Sequence, residues 1–103
     1  MPIDPQVFEQ LKEKHPRAVS LTAGGDTIAV APPTRPQWRR FKAAAADERK
    51  RPDALELILR DCLLYPDPQA FESMIEKRPA LVEVFAEQVL ELAGAGLEVE
   101  KNG

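Results

Sequence analysis

A chain of 103 residues with 44% hydrophobic residues is long enough for one domain with a modest core and too short for two. Its formal net charge of -3 argues against a dedicated nucleic-acid protein, whose binding domain is usually strongly basic. Its apolar runs fall far short of the roughly 20 residues that span a bilayer, and its first residues lack the pattern of a secretory signal. We therefore expect a soluble protein of the cytoplasm.

The N-terminal third predicts a short helix followed by a β-hairpin. Asp4 and Pro5 form a helix start, and the apolar residues that follow share one helical face, so a helix is expected over residues 5–14. Two β-branched runs then flank Gly24 and Gly25, which suit a tight turn. These runs predict a hairpin over residues 17–31.

The remaining chain, over residues 35–96, predicts about four helices. Thr34 and Gln37 have the spacing of a capping box, so one helix should begin at Arg35 and run into the alanines of residues 43–46. A second, with apolar residues at helical spacing, should end near Leu64, and Asp67 should cap a third. The fourth has apolar residues at helical spacing from residue 81 to 92 and stops at a glycine pair.

The predicted fold class is α+β, mostly α, with an N-terminal short helix and β-hairpin followed by a compact bundle of about four helices. Residues 1–103 are expected to form a single domain, with residues 97–103 as a flexible tail. The residues expected to anchor this fold are Thr34, Trp38, Phe41, Cys62, Tyr65, Phe71 and Phe85.

Charge is distributed unevenly along the chain. The net charge is -1 over residues 1–34, +5 over residues 35–51 and -7 over residues 52–103. On a helical projection of the basic stretch, Trp38 and Phe41 lie on the alanine side and the arginines point elsewhere. Because a single-strand binder stacks bases on exposed aromatics within a basic groove, this arrangement favours core aromatics and a protein-binding surface. The candidate partner-binding residues are Arg35, Arg39, Arg40 and Lys42.

The sequence nominates no catalytic, cofactor or metal site. His15, the one histidine, precedes a proline and has no evident nucleophile or orienting carboxylate. Cys62, the one cysteine, is in line with apolar residues, where an apolar environment keeps a thiol inert. Zinc would require several such ligands, and the glycine pairs do not match a phosphate-binding loop. We therefore expect a protein that is not an enzyme and has no cofactor.

Three stretches in order, "PPTRPQWRRF", "RDCLLYPD" and "FESMIEKRPALVEVFAEQVLELAG", resemble the small tail assembly chaperones of tailed bacteriophages and prophages. The likeness lies in their order and spacing over about residues 26 to 96. It implies a non-enzymatic protein that binds the tape measure protein, keeps it soluble, recruits tail tube subunits and is absent from the mature virion.

The charge pattern is compatible with this role, because unlike segments favour head-to-tail self-association. Leu57, Leu64 and Val84 are candidate contact residues, unless neighbouring helices shield them. Two other classes remain open: a structural tail or head-completion subunit, and a small helical nucleic-acid-binding accessory protein that uses the basic helix on phosphates.

Overall fold

The structure is a computed structural model and describes residues 3–103. These residues form five α-helices and three strands, and the predicted α+β, mostly α class is confirmed. The elements in chain order are α1 (Pro5–Lys14), β1 (Val19–Ala23), β2 (Asp26–Val30), α2 (Arg35–Ala46), a 3-10 turn (Arg51–Asp53), α3 (Ala54–Cys62), β3 (Leu63–Tyr65), α4 (Pro68–Lys77) and α5 (Leu81–Leu92).

Helices α1, α2 and α4 each begin at a residue whose side chain caps the first turn. Asp4, Thr34 and Asp67 each accept a backbone N–H of the following turn, and each is followed by a proline in the first turn of its helix. Proline suits these positions because the first N–H groups of a helix have no partner within the helix. The predicted capping box is confirmed, since the Gln37 side chain also accepts the Thr34 N–H.

The hairpin turns through Gly24 and Gly25, between the paired residues Ala23 and Asp26. Both glycines have positive φ, 58° and 86°, as a type I′ turn requires. Arg78, at the end of α4, donates a hydrogen bond to the Gly24 carbonyl and lies 3.5 Å from the Asp26 carboxylate. The end of α4 is therefore attached to the tip of the hairpin.

The second predicted helix ends within two residues of the expected position near Leu64, but the strand that follows it was not predicted. The helix ends at Cys62, and Leu63–Tyr65 forms a third strand that pairs with β2 antiparallel, giving the sheet order β1-β2-β3. A residue that precedes proline is pushed out of the helical region, and Tyr65 precedes Pro66. The backbone of β3 then pairs with the edge of β2 that β1 leaves free. Next to this pairing, the Ala31 N–H donates to the Cys62 carbonyl at 2.9 Å.

The core lies between the sheet and the helices, where α3 packs against both α2 and α5. The predicted anchors Cys62, Phe71 and Phe85 are buried, whereas Tyr65 is half-buried. No residue of α1 is buried. Within residues 3–103, no helix has the length and apolar character needed to cross a membrane. The largest fully buried side chains belong to Phe71, Phe85, Ile28, Ile58, Leu59, Val30 and Val89.

Candidate interaction surface

Helix α2 carries the basic surface and is attached to the core through its aromatic side. The Trp38 and Phe41 rings lie 5.3 Å apart and pack against the core, as expected for anchoring aromatics, although both residues are half-buried rather than fully buried. The buried residue of α2 is Ala44, which is 4% exposed. Helix α2 packs against α3, and the two aromatic residues are less buried than Ala44.

A single side chain, Gln37, connects the start of α2 to the end of α3. Its Oε1 accepts the Thr34 N–H at 2.9 Å, and its Nε2 donates to the Asp61 carbonyl at 3.1 Å. The Cys62 thiol also lies 3.7 Å from Oε1. The basic helix is thus held in a defined orientation on α3.

The four predicted partner-binding residues divide into two sets. Arg35, Arg39 and Lys42 are exposed and form no ion pair with any carboxylate of residues 3–103. At 100° per residue they fall within one narrow arc of the helix, which we call the basic face. Arg40 lies outside this arc, and its Nη1 is 3.4 Å from Oδ1 of Asp61.

Asp61 is the carboxylate that holds Arg40. Its side chain is 16% exposed, and its second oxygen, Oδ2, is buried without a hydrogen-bond partner among the described residues. An unpaired buried carboxylate is costly, so the neighbouring guanidinium compensates charge that would otherwise be isolated. Arg40 therefore contributes to the fold as well as to the surface.

A cleft of about 490 Å³ lies beside Arg40, between the second half of α2, the 3-10 turn and α3. Sequence reasoning missed it, although Asp47 and Pro52 mark a break after the alanines that could have indicated it. Because α2 ends at Ala46, Arg49 and Lys50 lie in the turn rather than on the helix. The lining residues are Ala43, Ala44 and Leu57 on the apolar side and Arg40, Arg49, Lys50, Asp47 and Asp53 on the charged side.

Cys62 is 2% exposed, as expected for a core residue. Burial, together with the negative charge of Asp61, raises the pKa of the Cys62 thiol to about 11, so little thiolate exists at neutral pH. His15 is exposed at the end of α1, where its backbone N–H donates to the Leu11 carbonyl at 2.7 Å. Within residues 3–103 no three His, Cys, Asp or Glu side chains gather as a group that could hold a metal ion.

The three candidate contact residues are not equivalent. Leu57 and Leu64 are half-buried, whereas Val84 on α5 is 46% exposed. Leu97 and Val99 in the tail are more exposed still. Val84 therefore remains the candidate on a helix.

No family model matches this chain, and no curated protein matches it. Among solved structures, the chain is similar to the uncharacterised protein rbstp2171 from Bacillus stearothermophilus, with a TM-score of 0.76 and 18% sequence identity. The match covers 92% of this chain and 99% of that one. At this identity the likeness shows a shared fold and indicates no function.

Proposed function

We propose that this chain is a non-enzymatic tail assembly chaperone, which binds and solubilises the tape measure protein of a phage or prophage. The observation that carries the proposal is the ordered set of motifs over about residues 26 to 96. Each of these motifs has a structural task in one continuous unit: Thr34 and Gln37 begin α2, Tyr65 and Pro66 follow α3, and α4 and α5 complete the core. Such a protein acts in the host cytoplasm and leaves before the virion is complete.

The basic face of Arg35, Arg39 and Lys42 is the surface that we assign to the partner. Its cations are not neutralised by carboxylates of residues 3–103, so they are available to another molecule. Arginine binds carboxylates with two parallel hydrogen bonds, which suits acidic positions along a helical partner. Rigid attachment of α2 through Gln37 keeps this surface preorganised.

A protein partner is favoured over nucleic acid by the position of the aromatics. Trp38 and Phe41 are half-buried against the core, and on a helical projection both lie outside the arc of the basic face, where a single-strand binder would place aromatics for stacking. The basic face alone has three cations, none of which forms an ion pair among residues 3–103, and this is a small phosphate-binding footprint, since each phosphate contact adds to a salt-sensitive affinity.

Coexpression with the tape measure protein from the same phage or prophage tests the proposal. The test variant is Arg35→Glu with Arg39→Glu, and Arg40 is left intact because a glutamate there would face Asp61. The matched control is Lys14→Glu with Arg17→Glu, which makes the same charge change at exposed positions outside the basic face. We expect the parent and the control to raise the soluble yield of the partner and to copurify with it in several copies, and the test variant to do neither.

Three results would contradict this function. A tape measure protein that is equally soluble without the chain removes the chaperone role. Stoichiometric amounts of the chain in finished virions indicate a structural subunit instead. Retention on DNA at physiological salt that is lost in the test variant indicates a nucleic-acid accessory protein.

A further inference from the structure

The outer face of α5 is acidic around one exposed apolar side chain. The inner face of the helix is buried in the core, including Val82, Phe85 and Val89. On the outer face, the carboxylates of Glu83, Glu87 and Glu91 form no ion pair with residues 3–103, and on a helical projection they lie to one side of Val84. From Glu83 to Glu91 this surface extends about 12 Å along the helix. We call it the acidic face.

The cleft beside Arg40 has the complementary character. Ala43, Ala44 and Leu57 supply an apolar side, and the Arg49 and Lys50 side chains are exposed at its rim without an ion pair among the described residues. The carboxylates of Asp47 and Asp53 also line the cleft. One of them, Asp47, accepts the Arg49 backbone N–H through Oδ1 at 2.9 Å. The cleft lies mainly in the segment of residues 35–51, whose net charge is +5, and the acidic face lies in the segment with -7.

These two surfaces are on different parts of the molecule. Helix α3 packs against both α2 and α5, whereas α2 and α5 make little contact with each other, and no residue of α5 lines the cleft. One molecule therefore presents both surfaces to solvent at the same time. A contact between them must join two molecules, and it leaves one cleft and one acidic face free at the ends of the pair.

We propose that the cleft binds the acidic face of a second copy of this chain. Val84 meets the apolar side of the cleft, and the glutamates of the acidic face meet Arg49 and Lys50. Because the joined surfaces differ, the contact is heterologous and adds further copies in a ring or a helical row. The inference concerns copies of this chain alone, so its test does not require the tape measure protein and can fail independently of the chaperone proposal.

A charge swap between the two surfaces tests this contact. The cleft variant is Arg49→Glu with Lys50→Glu, and the face variant is Glu83→Arg with Glu87→Arg. All four positions are exposed, so both variants should fold, as circular dichroism and thermal melting will verify. Self-association is measured by sedimentation velocity at low salt and at about 1 M salt, where the Debye length is only about 3 Å.

We expect the parent to associate at low salt and to dissociate at high salt. Each variant alone should associate at least about 10-fold more weakly, because like charges then face each other. Mixing the two variants should restore association. The acidic cleft of the cleft variant can bind the basic α5 surface of the face variant, and the basic cleft of the face variant can bind the acidic face of the cleft variant. The chain that carries all four substitutions should also associate.

Two further variants separate this contact from general charge effects. Glu98→Arg with Glu100→Arg makes the same charge change as the face variant, but in the exposed tail, and should leave association unchanged. Val84→Ser should weaken association without changing its dependence on salt. A parent that stays monomeric at about 1 mM, or a mixture of variants that fails to restore association, would overturn the proposal. Equal loss of association in the tail variant would do the same.

Discussion

Replacing Gln37 with glutamate tests the connection between α2 and α3, because it changes one atom of the side chain. Glutamate keeps an acceptor for the Thr34 N–H, but it loses the Nε2 donor that binds the Asp61 carbonyl at 3.1 Å. A net hydrogen bond contributes about 1 kcal/mol, and an unsatisfied buried acceptor costs about 1 to 3 kcal/mol. The negative charge of the new carboxylate near the N-terminus of α2 offsets about 0.3 to 1 kcal/mol of this loss. We expect the free energy of unfolding at pH 7 to fall by about 1 to 2 kcal/mol.

The pH dependence of this loss identifies its cause. When the new carboxyl group is protonated, its O–H can donate to the Asp61 carbonyl and replace the missing bond. The difference from the parent should therefore shrink as the pH falls from 7 to about 4. The measurement is urea unfolding of both proteins at several pH values, with midpoint and slope fitted separately.

Two reference variants bound the interpretation. Gln69→Glu makes the same chemical change in the exposed first turn of α4 and should change the stability by less than about 0.5 kcal/mol. Thr34→Ala removes the cap alone and should cost about 1 kcal/mol. If Gln37→Glu is as stable as the parent at pH 7, or if its loss does not depend on pH, the bond to Asp61 is not what joins these helices.

Three other predictions address the hairpin, the aromatic margin and the buried thiol. Gly24→Ala and Gly25→Ala should each destabilise the fold in urea unfolding, because both positions have positive φ, 58° and 86°, which an L side chain rarely adopts. A Cβ at Gly24 would also lie 2.6 Å from Arg78 Nη1, so an Arg78→Ala background should reduce the loss at Gly24 and leave the loss at Gly25 unchanged. Trp38→Ala should cost less than the roughly 3 to 5 kcal/mol expected for the fully buried Phe71→Ala, and equal losses would show that Trp38 is a core residue after all. The folded-state pKa of Cys62, about 11, exceeds the ordinary value of 9.0, so its stabilising contribution is full below pH 9 and is lost as the pH rises to about 11. Relative to Cys62→Ala, the parent should lose about 2 to 3 kcal/mol over that interval, and a parallel pH dependence of the two would refute the shift.

The parts of the fold that sequence reasoning predicted are those decided locally. The starts of α1, α2 and α4 depend on a capping side chain and a proline within a few residues, and all three pairs are visible in the sequence. The hairpin likewise depends on two adjacent glycines that can adopt positive φ. Local signals of this kind need no knowledge of the rest of the chain.

Strand β3 could not be predicted in this way. Leu63 and Leu64 continue the apolar character of α3, and three residues are too few to show a period of two. The strand exists because the free edge of β2, more than 30 residues earlier, lies beside it. The half-burial of Trp38 has a similar origin, since it depends on how α2 packs against the rest of the core rather than on the local sequence.

For the interaction surface, the sequence shows how many charges are present but not which of them are already neutralised. Arg39 and Arg40 are neighbours in the chain, yet one is free of ion pairs among residues 3–103 and the other is held by Asp61, a partner 21 residues away. Only unpaired cations can gain a full interaction with another molecule, because a paired one must first give up its partner. Charge reversals at Arg35, Arg39, Arg49 and Lys50 thus report on binding, whereas a reversal at Arg40 would also place two carboxylates together and report on folding.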